Sequence, residues 1–167
     1  FFKNEINCNL KGKYSSAFVN GIFSINNDKH HEIRSIINHL TENTKSYQLI
    51  KSVLEDGSKA VYQGKIFVNS DAQKTDGYQL SKAILLNKNS EFNAKPELEI
   101  YADDVKCSHG SASGSLNEDS IFYLMSRGLN YNQSRELLIN GFLLDVVEKI
   151  TDPEIKNLIK NMIGIKE

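Results

Sequence analysis

The chain has 167 residues, with 20 Lys or Arg against 21 Asp or Glu, which gives a formal net charge of -1. This balance argues against a nucleic-acid-binding module, which usually carries a basic excess, and gives no support to a polybasic membrane anchor. The hydrophobic share of 40% and the charged share of 25% are typical of a folded chain, not a disordered one. No run of about 18 apolar residues predicts a membrane span. We therefore expect a soluble protein.

Two cysteines, Cys8 and Cys107, are too few for a disulfide framework and form no CxxC pair. This usage fits a reducing compartment, so we expect a cytoplasmic location. The chain begins at Phe1, without Met and without the apolar stretch of a signal peptide. We expect it to be part of a longer protein.

Short segments of alternating apolar and polar residues occupy the first two thirds of the chain. The clearest strand patterns lie at 13–23, 47–54, 61–68, 83–86 and 97–102. Clusters of Asn, Asp, Gly and Ser between them indicate turns, and a bulge or corner is expected at Asp103–Asp104. Many short strands without intervening helices favour a sandwich, a barrel or a solenoid over a βαβ fold. No exact repeat is visible that would select the solenoid.

The pattern changes from strand to helix near Leu116. Asn117 is a suitable N-cap for a first helix, and Gly128 is a natural stop. A second helix is predicted from Asn130 to about Ile150, with Gln133 at the spacing of a capping box. Its apolar residues cover most of its circumference, so we expect it to be buried on more than one side.

A third helix is predicted from Asp152 as N-cap, with Pro153 at its first position and Gly164 at its end. The spacing of its apolar residues predicts an amphipathic face formed by Ile155, Leu158, Ile159 and Met162.

Most chemical motifs are absent from the sequence. The segment 110–114 has the glycine spacing of a nucleophile elbow, but Ala112 stands where serine is required, so we interpret it as a flexible turn. The three histidines His30, His31 and His39 match no metal motif, and we interpret them as surface or turn residues. Without a nucleophile and base, a stand-alone hydrolase is not supported.

Cys107 and His109 are the exception. If their segment is extended, two residues of separation place both side chains on one face. A thiolate and an imidazole there suit iron or zinc, or the histidine supports a reactive thiol. Two ligands do not complete a metal site, so others would have to come from this chain or a partner. The structural alternative is a buried cysteine and a turn histidine.

Three longer sequence motifs surround this pair: 72–76 (Ala-Gln-Lys-Thr-Asp), 95–110, which contains both residues, and 122–128 (Phe-Tyr-Leu-Met-Ser-Arg-Gly). In order and spacing they resemble the SufB/SufD family of iron–sulfur cluster assembly proteins. The resemblance is strong from about 48 to 150, and Cys-Ser-His-Gly at 107–110 is closer to the SufD branch.

This resemblance implies a right-handed parallel β-helix at 1–116, the end of a longer core, followed by a helical region at 117–167. It implies a non-enzymatic SufD-like scaffold that pairs with SufB and binds the SufC ATPase through its helices. A nascent cluster would form near Cys107 and His109, with His109 the better ligand candidate, and no cofactor would be tightly bound.

The expected ATPase contacts are on the second helix, at Leu137, Leu138, Phe142 and Val146. The alternative is a pure interaction module in which Cys107 and His109 are structural. An exposed strand edge at 1–24 further predicts self-association. Neither nucleic acid nor membrane is an expected partner.

Overall fold

Eight strands followed by three helices make up the fold of the computed structural model, which describes residues 1–165. Residues 166 and 167, at the end of the predicted helical region, lie outside it. The strands are β1 (Phe2–Leu10), β2 (Ser16–Ile25), β3 (His30–His39), β4 (Lys45–Leu54), β5 (Lys59–Val68), β6 (Thr75–Leu85), β7 (Glu91–Ile100) and β8 (Val105–Gly114). The helices are α1 (Glu118–Ser126), α2 (Tyr131–Val147) and α3 (Pro153–Met162).

Successive strands alternate between two four-stranded sheets, in the orders β1-β3-β5-β7 and β2-β4-β6-β8. Every pairing is parallel, and the chain makes about four turns of a β-solenoid. The expected parallel β-helix followed by helices is therefore confirmed. The turns differ in length: His30 pairs with Lys59, 29 residues on, whereas Lys59 pairs with Glu91, 32 residues on.

The corners of successive turns repeat one backbone conformation with different residues. Tyr14, Asn43 and Lys74, each just before an even-numbered strand, all have φ near +60°, at 63°, 59° and 57°. The corners also bond to one another, because the Asn43 amide donates to the Gln73 carbonyl at 2.9 Å. The expected corner at Asp103–Asp104 lies between β7 and β8 and accepts the Lys74 amide at the Asp104 carbonyl, but neither aspartate has a positive φ. The repeat is thus one of conformation, not of residue identity.

Both apolar and polar side chains fill the space between the sheets. Ile66, Val68 and Ala72 form a cluster with Ala102, while Leu54 packs in another. Several polar side chains are also buried, among them Ser35, His39, Thr44, Ser46, Gln48, Thr75 and Gln79. A buried polar group must be paired to avoid a large desolvation cost, so this interior depends on hydrogen bonds as well as packing.

His39 shows this pairing and corrects its predicted surface or turn position, because it is 0% exposed. Its Nδ1 lies 2.7 Å from Thr44 Oγ1 and its Nε2 lies 2.9 Å from Ser46 Oγ. Because the Thr44 hydroxyl donates to the Thr41 carbonyl, we assign the His39 proton to Nδ1. Burial lowers the pKa of His39 to about 4, so the ring is neutral near neutral pH.

The N-caps of the three helices are the residues predicted from the sequence. The side chains of Asn117, Asn130 and Asp152 accept backbone N–H groups at the three N-termini, and Gln133 completes the capping box. The second helix ends at Val147, three residues before the expected Ile150. No helix within residues 1–165 is both long and apolar enough to cross a membrane.

Helix α2 packs on the outer face of the second sheet, where it contacts β2 and β4, and both α1 and α3 contact α2. The Lys51 ammonium of β4 donates to the Phe142 carbonyl at 2.7 Å and pairs with Asp145 at 2.8 Å. The hydrogen bond from Lys51 lowers the pKa of Asp145. This cation fixes α2 on the solenoid.

Two local predictions are wrong. The segment 110–114 is the second half of β8, not a flexible turn, because its backbone pairs with β6. The expectation that α2 is buried on more than one side also fails for part of the helix, since Leu137 is 51% exposed. The predicted apolar face of α3 exists, but no residue of α3 is buried.

Candidate functional site

Cys107 and His109 lie on β8, the last strand in the order of the second sheet. Their segment is extended, as their predicted common face requires. On β6, Gly77 is the register partner of Cys107 and Gln79 is the register partner of His109. Cys107 and His109 therefore each stand in register with residues on the two preceding strands of the second sheet, β4 and β6.

The Cys107 side chain is half-buried against the apolar cluster around Ile66 and Ala102. Gly77 provides room for the sulfur, since a Cβ at position 77 would lie 3.4 Å from Cys107 Sγ. Burial raises the pKa of the Cys107 thiol, partly offset by a backbone hydrogen bond from Gly77. A raised pKa disfavours the thiolate, which is the nucleophilic and metal-binding form. This environment does not fit the reactive-thiol alternative.

His109 has the opposite environment, because its side chain is exposed whereas its neighbour Gln79 is 1% exposed. An exposed imidazole is accessible to a ligand or partner without rearrangement of the core. A neutral imidazole also binds a metal without the cost of deprotonation that a buried thiol carries. Of the two predicted residues, His109 is better placed to contact a metal.

The described part of the chain does not complete a metal site by itself. Among residues 1–165, no group of three or more His, Cys, Asp and Glu side chains is arranged to hold a metal ion. A metal contact through His109 would therefore need ligands from outside this part of the chain, or from the metal's own sulfide or solvent shell.

The four predicted ATPase contacts on α2 differ widely in accessibility. Leu137 is exposed, Leu138 and Phe142 are half-buried, and Val146 is only 3% exposed. The Phe142 ring also lies 4.4 Å from the Lys51 ammonium. In this conformation Val146 belongs to the packing between α2 and the chain's own fold, and Leu137 is the most accessible of the four.

Leu137 and Leu138 lie beside an open cavity of about 410 Å³ between α1 and α2. Tyr123 and Leu124 of α1 line it from the other side. The helical region carries further exposed apolar side chains, namely Phe122, Met125, Tyr131, Ile155, Leu158 and Met162. Tyr123, Leu124, Leu137 and Leu138 line the same cavity and form one partly exposed apolar surface, which is typical of an interaction site.

His30 and His31 lie at the start of β3, which pairs with β1 in the first sheet, two turns of the solenoid away from β8. Their rings pack against Phe1 and Phe2, with centroids 5.0 Å and 5.2 Å apart. Burial lowers the pKa of His31. The structure does not bring these histidines to Cys107 and His109.

Sequence reasoning missed Lys51 and Gln79, which hold α2 in place and neighbour His109, respectively. Lys51 lies in the predicted strand at 47–54, so the pattern indicated its side of the strand but not its burial, whereas Gln79 lies outside the predicted strand segments. The register between turns would have placed Gln79 beside His109.

The last strand of the solenoid presents an exposed histidine, and the helices that follow carry exposed apolar side chains. The model of the family "SUF system FeS cluster assembly, SufBD core domain" matches residues 1–142. The chain belongs to this family.

Individual relatives agree with this assignment. The chain is 34% identical over 97% of its length to the iron-sulfur cluster assembly protein SufD of Escherichia coli, and covers 38% of that protein. It is 42% identical over 70% of its length to the chloroplastic protein ABCI7 of Arabidopsis thaliana, covering 25% of it. A SufBD family protein of Synechocystis is 37% identical over 71% of the chain and is covered to 26%. The chain thus spans well under half the length of these relatives.

Proposed function

We propose that this chain acts as part of a SufD-like, non-catalytic scaffold subunit of an iron–sulfur cluster assembly complex. Membership of the SufBD family and similarity to a protein named SufD support this role. The subunit would pair with a SufB-like protein and bind a SufC-like ATPase. The nascent cluster would be a transient cargo, not a resident cofactor.

The exposed His109 on the final strand is the observation that carries the proposal. Its imidazole is accessible for a cluster iron, and the missing ligands would come from the paired subunit. Cys107, half-buried with a raised pKa, would line the site more than ligate in it.

Replacement of each residue in the full-length subunit tests this role. In a complex reconstituted with SufB-like and SufC-like proteins, His109→Ala should lower the yield of assembled cluster, and Cys107→Ala should lower it less. Cluster yield is measured by visible absorbance and bound iron. Cys8→Ala is the matched control for Cys107, because Cys8 is also a free, half-buried cysteine on an edge strand. Unchanged yield in both test variants would remove the cluster role.

A second candidate function is that of an interaction module only, favoured by the exposed apolar side chains of the helices. In that case His109→Ala would leave cluster yield unchanged, while Leu137→Glu would still abolish ATPase copurification. Glu136→Lys is a suitable control, since Glu136 is a neighbouring exposed residue. Retention of the ATPase by Leu137→Glu would argue against α2 as its contact.

Self-association through the first two strands stays a prediction. Phe1, Phe2 and Phe18 are exposed there, and β1 and β2 end their sheets. A strictly monomeric chain in light scattering would contradict it. We place the function in the cytoplasm on the grounds that both cysteines are free thiols, as a reducing compartment keeps them.

A further inference from the structure

Four polar side chains meet inside the solenoid next to Gly64. Ser35 and Tyr62 come from the first sheet, and their hydroxyl oxygens lie 3.2 Å apart. Gln48 and Gln79 come from the second sheet, where they are register partners on β4 and β6. The Tyr62 hydroxyl donates to Gln48 Oε1 at 3.4 Å. All four side chains are at least 98% buried.

The glycine at position 64 creates the space in which this cluster forms. A Cβ there would lie 2.2 Å from Gln79 Oε1 and 2.4 Å from the Tyr62 hydroxyl oxygen. Both oxygens therefore occupy the space in which a side chain at position 64 would lie. Any larger residue at position 64 would displace them.

One buried acceptor and one buried donor of the cluster have no hydrogen-bond partner among residues 1–165. Gln79 Nε2 donates to the Glu97 carbonyl at 3.4 Å, but Gln79 Oε1 has no donor among residues 1–165. Gln48 Nε2 has no acceptor in the same part of the chain. Buried polar groups in proteins are nearly always paired, either with protein atoms or with an ordered molecule of water. Within residues 1–165, the cluster thus contains one unpaired acceptor and one unpaired donor, on side chains that are register partners.

We propose that one ordered water molecule binds in this cluster, donating to Gln79 Oε1 and accepting from Gln48 Nε2. Water can donate and accept at once, and such internal waters typically make about three hydrogen bonds. The Tyr62 hydroxyl is the third polar neighbour.

The ligand is neutral, because no charged side chain belongs to the cluster. Burial raises the pKa of Tyr62, so its hydroxyl stays protonated near neutral pH. An anion in this space would have no cation to compensate its desolvation. The site is independent of the proposed cluster role, because it depends only on side chains inside the solenoid. It does, however, fix the amide of Gln79, the register partner of His109.

Magnetic relaxation dispersion of water nuclei counts long-lived internal waters and tests the proposal on the full chain. Gln79→Met keeps the length of the side chain but removes the acceptor, and it should lower the count by one water per chain. Gln63→Met is the matched control, since Gln63 lies on the outer face of the neighbouring β5, and its count should equal that of the wild type.

An equal count in the wild type and Gln79→Met would overturn the proposal. A high-resolution crystal structure of the wild type decides the matter if Gln79→Met does not fold. Density for a water within hydrogen-bond distance of both Gln79 Oε1 and Gln48 Nε2 supports the proposal. A direct amide–amide hydrogen bond without that density contradicts it.

Discussion

The solenoid buries many of its apolar side chains, whereas the helical region leaves many of its own exposed. Strands β3 to β5 bury Ile37, Leu54, Ile66 and Val68 completely, and the buried His39 of β3 is hydrogen-bonded at both ring nitrogens. In contrast, α3 buries none of its residues, and Leu158 is 59% exposed. The solenoid is therefore stabilised by its own interior, whereas much of the apolar surface of the helices stays exposed.

This difference bears on the two proposed tasks, cluster contact and ATPase binding, which are assigned to different surfaces. His109 lies on the final strand of the solenoid, in register with the interior, while Leu137 lies on a helix packed against the outer face of the same sheet. A change on one surface can therefore be made without touching the other. The comparison predicts how the two regions respond to substitution.

The largest difference is expected for truncation of a leucine. Leu54 is fully buried against Ile25 and Ala60, so Leu54→Ala should lower the free energy of unfolding by about 2–5 kcal/mol through lost contacts and a residual cavity. Leu158→Ala should change it by less than about 0.5 kcal/mol, as is usual at exposed positions. Urea denaturation measures both. Equal losses would show that α3 is packed in solution and would break the comparison.

The second effect is a pH dependence of the free energy of unfolding, which the buried His39 should cause. Its folded pKa of about 4 lies below the ordinary value of 6.5, so the unfolded chain binds the proton more readily. The stabilisation is complete above pH 6.5 and is lost as pH falls toward 4, by roughly 3 kcal/mol in total.

The difference in unfolding free energy between the wild type and His39→Gln, measured across this pH range, isolates the histidine from the carboxylates. A difference that does not vary with pH would mean that His39 titrates normally, and hence that it is not enclosed.

A smaller effect is expected where the two regions meet. Lys51→Met removes the ammonium that bonds to Phe142 and Asp145, and it should lower the free energy of unfolding by about 1–2 kcal/mol. This is less than the loss expected for a fully buried charged hydrogen bond, because Asp145 is half exposed. Amide hydrogen exchange should show faster opening of α2. Lys82→Met is the control, because Lys82 is the exposed register partner of Lys51. Similar exchange in both variants would mean that Lys51 does not hold the helix.

Local signals in the sequence were sufficient to predict where the three helices begin. Asn117, Asn130 and Asp152 accept backbone N–H groups within three residues of their own position, so their role follows from the neighbouring sequence. The end of α2 was less predictable. Its apolar residues continue past Val147, and the sequence does not mark the point at which packing against the solenoid stops.

The solenoid depends on contacts between turns, which are far apart in sequence. Its corners use Tyr14, Asn43 and Lys74 in one backbone conformation, and its turns vary in length, so no residue repeat reveals it. The family resemblance supplied the fold instead. The burial of His39 could not be predicted because it depends on Thr44 and Ser46 across a corner.

Only the local geometry of the candidate site could be predicted, because its environment also depends on contacts between turns. The spacing of Cys107 and His109 placed them on one face of a strand, which depends on local geometry alone. Their different exposure depends on the apolar cluster that packs against Cys107 and ends before His109. The sequence therefore named both residues but could not rank them by environment.

The most direct test measures cluster yield and ATPase copurification together for two variants of the full-length subunit in the reconstituted complex. We predict that His109→Ala loses cluster yield and retains the ATPase, because the histidine lies away from the helices. Leu137→Glu should lose the ATPase. If His109→Ala retained full cluster yield, or released the ATPase as readily as Leu137→Glu does, the assignment of the two tasks to two surfaces would be contradicted.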